Sequence, residues 1–277
     1  MTKKTILITG ASSGIGYNTA MVLAEQGHKV YAAARRVEKM EPLRQKGVIP
    51  IKMDVTSEDS IKNGLNIMVQ NEKSIDVLIN NAGYGYFGAI ENVSMEEAHR
   101  QLEVNVFGLA RLCQLVLPIM RQQGAGRIIN TSSVAGKSVL YFGGWYHVSK
   151  YAVEAFSDAL RMEMKPFGID VILIEPGGIK TEWGIIAAQH LAESSKGTTY
   201  EQQGLQVADS LDKVYHMNIL SQPKVVTKAI CKAVNSKYPR VRYRVGFAAA
   251  TILILHNILP ARWWDALMRT LFGKIKI

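Results

Sequence analysis

Cysteine is scarce: Cys113 and Cys231 are the two thiols in 277 residues. Both lie in apolar stretches with a helical pattern, so buried structural thiols are expected and a disulfide framework is not. No Cys-x-x-Cys occurs, and the histidines His28, His99, His147, His190, His216 and His256 show no metal-ligand spacing. No metal centre is therefore expected. No repeat or low-complexity segment is visible. The most apolar run, residues 245–259, is interrupted by His256 and Asn257 and followed by Pro260. It falls short of the ~20 residues needed to cross a bilayer, and a helix packed on the core or across a dimer seam is expected, with an interfacial helix the alternative. The N-terminus passes from Thr2-Lys3-Lys4 straight into a strand pattern, which leaves no room for a secretory signal and predicts a cytoplasmic location.

Acid is scarce in the last fifth of the chain. Residues 224–277 hold eleven lysines and arginines against one acid, Asp265, and this segment accounts for the whole net charge of +10. A solvated surface explains most such charge, and an anionic membrane or acidic partner is the sharper reading. Trp263, Trp264, Leu267 and Leu271 would then face lipid and the basic residues the head groups. No nucleic-acid-binding motif accompanies the charge, so nucleic acid is not expected as a partner.

The chain is long enough for one large core, and 48% of it is hydrophobic. Short apolar runs bounded by turn residues predict strands at about 4–9, 28–34, 48–53, 75–80, 126–131 and 169–174, with a last one at 241–245. Helical patterns lie between them. One starts at Ser94-Met95-Glu96-Glu97, a capping-box spacing, and Pro118 is expected to kink or end the long helix that follows. Strict alternation implies an α/β architecture: a single doubly wound parallel sheet of Rossmann type, with helices on both faces. In such sheets ligands bind beyond the carboxyl ends of the strands. Gly10, Arg35, Asp54, Asn81, Ser133 and Pro176 all follow strand ends.

Two motifs carry chemistry. Thr9-Gly10-Ala11-Ser12-Ser13-Gly14-Ile15-Gly16 sits between a predicted strand and a helix that ends at Gly27. Glycines allow a tight turn and close approach to a pyrophosphate, and the helix N-terminus presents free N–H groups. The second is Tyr146 and Lys150, one helical turn apart, with Ser133 thirteen residues upstream. An ammonium beside a phenol favours the phenolate and should bring a group with a pKa of about 10 toward neutral pH.

These residues, with Asn80-Asn81-Ala82-Gly83, Asn105, Tyr146-His147-Val148-Ser149-Lys150 and Pro176-Gly177, occur in the order of the short-chain dehydrogenase/reductase family. The chain resembles that family over residues 4–182, and the aromatic residues around its pocket resemble the hydroxysteroid and retinol dehydrogenase branch. The resemblance implies hydride transfer between a nicotinamide cofactor and a carbonyl/alcohol pair. Tyr146 would be the acid/base. Lys150 would lower its pKa and bind the nicotinamide ribose, Ser133 would hold the substrate oxygen, and Asn105 would hold a water that relays protons. Cofactor contacts are implied at Gly10, Ser12, Ser13, Gly14, Ile15, Gly16, Asp54, Val55, Asn81, Ala82, Gly83, Tyr146, Lys150, Pro176, Gly177, Ile179 and Thr181. Asn80 and Asn81 are expected to tie strand ends together rather than react. Family members usually form dimers or tetramers, so a homo-oligomer is expected.

Cofactor choice rests on the second strand, which ends at Ala34 where an NAD-selective site usually places an acid. Arg35 and Arg36 follow. Charge-assisted hydrogen bonds to a 2′-phosphate at roughly 1.5–3 kcal/mol each predict NADP(H) in preference to NAD(H). Residues 183–220 are expected to cover the substrate, with Trp183, Ile185, Ile186 and Leu191 closing over an apolar ligand and Tyr84, Tyr86 and Phe87 adding aromatic surface. Residues 245–277 are expected to form a basic, helical C-terminal extension. A non-catalytic NADP(H)-binding sensor or scaffold is the competing class. The intact set of Asn105, Ser133, Tyr146 and Lys150 favours the enzyme, because a pure binder has no chemical need of all four.

Overall fold

Tight glycine and polar turns at the ends of short β-branched runs leave each strand room for only a few residues before a helix must return the chain. The computed structural model describes residues 2–271. Seven parallel strands form one sheet: β1 (Thr5–Thr9), β2 (Lys29–Ala34), β3 (Ile49–Lys52), β4 (Val77–Asn80), β5 (Gly126–Thr131), β6 (Ile169–Pro176) and β7 (Arg242–Val245), in the spatial order β3-β2-β1-β4-β5-β6-β7. All seven predicted strands are present, including the last. Parallel strands need crossovers, and these are helices on both faces.

Alternation along each strand separates two cores. Ile6, Ile8, Val30, Ala32, Ile129 and Ile172 pack with Ala20 and Leu23 of α1 (Gly14–Glu25) and Val226 and Ile230 of α8 (Lys224–Asn235). Leu7, Tyr31, Ile51, Leu78 and Ile128 pack on the other face with α2 (Glu58–Asn71), α4 (Gly108–Gln123) and α5 (Gly144–Met164). Each fully buried Leu or Ile contributes roughly 1.5–3 kcal/mol of transfer free energy.

The predicted long helix is one continuous rod in three parts: α3 (Met95–Leu102), a π turn (Glu103–Phe107) and α4. Ser94 caps it by accepting a hydrogen bond from the Glu97 amide at 3.2 Å. The Glu97 carboxylate does not return to the cap but accepts from the Tyr84 hydroxyl at 2.7 Å. Pro118 does not end the helix, which continues to Gln123. Pro118 and Gln114 both face solvent, where water can take the carbonyl that the missing N–H would have bonded.

Beyond β6 come α6 (Glu182–Ser195) and α7 (Glu201–His216), packed together over the carboxyl end of the sheet, and beyond β7 come α9 (Ala249–Ile258) and α10 (Ala261–Leu271). Trp264 is buried rather than lipid-facing: its ring meets His256 edge-on at 4.9 Å and its Nε1 donates to the Val139 carbonyl at 3.3 Å. Trp263 and Leu271 are exposed. Lys274 and Lys276 of the basic extension lie outside the described residues.

Candidate active site

The sheet order reverses between β1 and β4, and the two strand ends are stitched across that crevice. Thr9 Oγ1 accepts from the Asn81 and Ala82 amides, each at 3.1 Å, and Asn81 Nδ2 donates to the Thr9 carbonyl at 3.1 Å. Asn80 Nδ2 donates to Asn130 Oδ1 at 2.9 Å, and Asn130 Nδ2 to Ser157 Oγ at 2.9 Å, forming a buried polar chain from β4 through β5 to α5. Asn80 and Asn81 thus tie strand ends together in this structure.

The glycine turn is packed to contact. A Cβ on Gly16 would lie 2.4 Å from the Gly10 carbonyl oxygen, and one on Gly10 would lie 2.8 Å from Ala82 Cα. Gly14 has φ +55, and Thr181 faces it, with its methyl 3.8 Å from where a Gly14 Cβ would be. Ser13 occupies the N-cap of α1 but makes no side-chain cap bond, and the first turn carries no acid. The free N–H groups and positive dipole end there suit an anionic diphosphate.

A cavity of about 410 Å³ opens from this turn. Of the predicted cofactor residues, Gly10, Ser12, Ser13, Arg35, Arg36, Asp54, Val55, Ala82 and Gly83 line it. Ala34, at the end of β2, lies in its wall, and Arg36 donates to Ser12 Oγ at 3.4 Å. Asp54 Oδ1 is taken up by the Thr56 amide and hydroxyl at 3.0 and 2.8 Å. The lining does not include Gly14, Ile15, Gly16, Asn81, Tyr146, Lys150, Pro176, Gly177, Ile179 or Thr181. Ile15 and Ile179 belong to the core on the α1 and α8 face, and Gly177 closes against the Phe247 carbonyl. Arg100 of α3 and His190 of α6 also line the cavity, and His190 stacks on Tyr86 with ring centroids 4.8 Å apart. Neither residue was legible in the sequence. Each is a lone polar side chain on a helix that only the tertiary fold carries to the crevice.

Ser133, Tyr146, Lys150 and Asn105 come together beside this cavity. Lys150 Nζ lies 5.9 Å from the Tyr146 ring centroid and donates to the Thr131 carbonyl at 2.9 Å. Ser133 caps the short turn Val134–Gly136, accepting from the Ala135 amide at 3.1 Å and donating to the Pro176 carbonyl at 3.3 Å. Its side chain also lies close enough to Tyr146 to draw the phenol's pKa down. Asn105 sits in the π turn, a local widening frequent at functional sites. Its amide holds both backbone groups of Tyr84, at 3.0 and 2.9 Å, and donates to Ser149 Oγ at 3.0 Å. In this structure it therefore fastens the loop after β4 to α5. Gly83 fits between Asn105 and Lys150: a Cβ there would lie 3.1 Å from Asn105 Oδ1 and 3.7 Å from Lys150 Nζ.

The electrostatics differ from expectation at Tyr146. Burial pushes its phenol well above the ordinary value, and the Ser133 hydrogen bond draws it partly back. Burial likewise lowers Lys150 to about 8, against the raising effect of the Glu154 carboxylate one turn away. Desolvation is the largest effect on both groups, which are buried side by side.

Tyr146 packs among aromatic rings. Trp183 lies 4.8 Å from it and Phe87 5.9 Å, between ring centroids. Leu191, Ala187, Val207 and Leu211 back this cluster, so α6 and α7 do cover the site. Ile186 instead faces solvent. Phe142, at φ 59, turns the chain into α5 and packs edge-on against Tyr200.

A parallel sheet with a glycine-rich crevice and a Tyr-Lys pair beside it defines a nucleotide-dependent oxidoreductase of Rossmann type. Residues 4–190 match the family described as short chain dehydrogenase, and the chain belongs to the short-chain dehydrogenase/reductase family. It is 37% identical to a probable short-chain type dehydrogenase/reductase, VdlC, of Helicobacter pylori, with 95% of this chain and 96% of that one covered. It is 38% identical to 3-ketodihydrosphingosine reductase of Bacteroides thetaiotaomicron, over 89% of each chain. Identity to 17-beta-hydroxysteroid dehydrogenase type 6 of Rattus norvegicus is 34%, over 96% of this chain and 87% of that one. Among solved structures, serine dehydrogenase complexed with NADP+ superposes with a TM-score of 0.75 at 26% identity, covering 87% of this chain and 94% of the other. The chain is an enzyme of the oxidoreductase class, and a nicotinamide dinucleotide is its cofactor type.

Proposed function

We propose that this enzyme interconverts a carbonyl and an alcohol with NADP(H), using Tyr146 as acid/base. The observation that carries the reading is the convergence of Tyr146, Ser133 and Lys150 at the carboxyl end of the sheet, beside a glycine turn whose helix N-terminus has no side-chain cap. Gly10, Ser12 and Ser13 would hold the diphosphate, Asp54 and Val55 the adenine, and Arg35 and Arg36 the 2′-phosphate. The bound nicotinamide supplies or accepts the hydride. A phenol kept neutral by burial is a proton donor at pH 7, so in reduction Tyr146 Oη protonates the substrate oxygen. Ser133 turns its hydroxyl from the Pro176 carbonyl to donate to that oxygen and stabilises its developing charge. Lys150, largely ammonium at pH 7, stabilises the phenolate left behind.

An apolar ketone or secondary alcohol fits the surroundings, since Phe87, Trp183, Phe142 and Leu191 pack in one apolar cluster with Tyr146. A relative is named for a long-chain sphingoid ketone, which supports the same substrate class. Following NADPH absorbance against long-chain ketones, steroids and retinoids tests the reading. Tyr146→Phe should lose at least about a hundredfold in turnover. Near-normal turnover in that variant refutes the role. NADPH should bind more tightly than NADH, and Arg35→Ala should narrow the gap.

We also propose a cytoplasmic homo-oligomer. Phe107, Val148, Tyr151 and Met162, exposed apolar side chains on the π turn and α5, support self-association. An anionic membrane surface is the partner we assign to α9 and α10. Ile254, Ile258, Trp263 and Leu271 are exposed there beside Arg262 and Arg269, an amphipathic arrangement suited to lying on head groups. Arg242 and Arg244 do not join this surface, because buried carboxylates claim them. The chain should float with phosphatidylglycerol vesicles at low salt and dissociate at high salt, and Trp263→Glu should abolish binding. No vesicle binding, or a change in oligomer mass alone, overturns the membrane assignment.

A further inference from the structure

Two buried carboxylates lie behind the site, and the proposed chemistry leaves both unassigned. Glu175 at the end of β6 is fully buried, and Glu154 lies on α5 one turn beyond Lys150. Three cations surround them. Arg242 Nε lies 3.0 Å from Glu175 Oε1 as an ion pair and donates to Glu154 Oε2 at 3.3 Å, and Nη2 donates to Glu154 at 3.2 Å and Asp158 at 2.6 Å. Arg244 Nε bonds Glu175 Oε2 at 3.0 Å. Lys137 Nζ lies 3.8 Å from Glu154 and 3.7 Å from Glu175. Arg161 adds a bond to Asp158 at 3.3 Å.

This cluster ties three parts of the site together. Lys137 ends the short turn that Ser133 begins. Gly136, inside that turn, packs so closely on α5 that a Cβ would lie 2.9 Å from both the Lys150 carbonyl and Glu154 Cγ. Pro176, next to Glu175, accepts the Ser133 hydroxyl. Ser132 Oγ and Glu154 Cγ both crowd Gly136, at 2.8 and 2.9 Å from where its Cβ would be. Removing one member of such a buried cluster leaves an uncompensated charge, so its geometry is strongly enforced.

We propose that Glu154 is a positioning residue for the reaction: it fastens the Ser133 turn to α5 and holds a carboxylate one turn behind the Lys150 ammonium. The proposal rests on the acid/base reading of Tyr146. The groups facing Lys150 are Tyr146 and Glu154 on its own helix, Asn105 from the π turn, the Thr131 carbonyl from β5 and Gly83 from the loop after β4. Around Glu154 stand Lys137 from the turn, Asp158 on α5, Glu175 from β6 and Arg242 from β7. The Glu154 charge favours the ammonium form of Lys150, so neutralising it should make Lys150 lose its proton at lower pH.

The test is the pH profile of kcat for purified Glu154→Gln and Glu154→Asp, with NADPH and a ketone that the native enzyme reduces. In Glu154→Gln the alkaline limb should move down by at least about half a pH unit, and kcat at pH 7 should fall severalfold with KM for NADPH unchanged. Glu154→Asp, which keeps the charge, should restore the limb. A limb in Glu154→Gln that coincides with the native one overturns the proposal. Should Glu154→Gln not fold, Lys137→Gln serves instead: it frees the Ser133 turn while leaving Glu154 in place. A severalfold loss of kcat there supports the fastening role, and native kcat overturns it. Tyr146→Phe run alongside separates the two readings. Turnover that survives in Tyr146→Phe removes the acid/base reading, whereas its loss beside an unmoved limb removes only the positioning role.

Discussion

Replacing Gly16 by alanine tests whether the crevice between β1 and β4 is the dinucleotide site. The added methyl would sit 2.4 Å from the Gly10 carbonyl oxygen and 2.7 Å from Asn81 Nδ2. The first of these is backbone and cannot rotate away. Asn81 cannot yield freely either, because its amide holds the Thr9 carbonyl. The first turn of α1 must therefore shift outward from the glycine turn. Overpacking of this kind costs roughly 1–3 kcal/mol. The displaced groups are the N–H donors at the start of α1, so most of the cost should fall on binding of the diphosphate. At ~1.4 kcal/mol per tenfold, the dissociation constant for NADPH should rise about ten- to hundredfold.

Gly47→Ala is the control. Its φ of +80 strains a side chain, but nothing lies within 4 Å of the new methyl. It should cost ~1–2 kcal/mol of folding stability and leave NADPH binding unchanged. Titrating nicotinamide fluorescence and following thermal unfolding on both variants separates affinity from stability. Unchanged NADPH affinity in Gly16→Ala refutes the assignment of this turn.

Two further outcomes follow from the buried polar groups. Lys150 is held near 8 in the fold, below its unfolded value of about 10.4, so between those values the unfolded chain binds more protons and stability rises with pH. Lys150→Met should flatten that rise between pH 8 and 10.5 and should unfold at higher denaturant than the native chain at pH 7; urea midpoints with and without the mutation check it. Asn80→Ala leaves Asn130 Oδ1 buried without its 2.9 Å donor, at a cost of roughly 1–3 kcal/mol. Its melting temperature should fall while turnover per folded molecule is kept, and a native melting temperature would remove the polar chain from the account of stability.

The strands were legible because each is a short apolar run between turn residues, and the period-2 pattern needs no tertiary information. The glycine turn, the Tyr146–Lys150 step and the cap at Ser94 were legible for the same reason: they are local, and backbone geometry dictates their residue types. Pro118, expected to kink or end the helix, does not end it, because sequence alone does not show which face of a helix meets solvent. Trp264 misled similarly, since the amphipathic stripe of α10 is shared between the protein and its surroundings, and packing on His256 and Val139 decides the division.

What the amino-acid order determined by itself was therefore the alternation of elements, the placement of loops at the carboxyl ends of strands and the family to which the chain belongs. Only the tertiary structure decided the state of the reactive groups. Burial raises Tyr146 and lowers Lys150, and Arg242, which reads as surface charge, turns inward to Glu154 and Glu175. The reason is range: local preferences act over a few residues and can be read along the chain. Desolvation and ion pairing depend on groups that folding brings together, such as Glu154 and Arg242, from 88 residues apart.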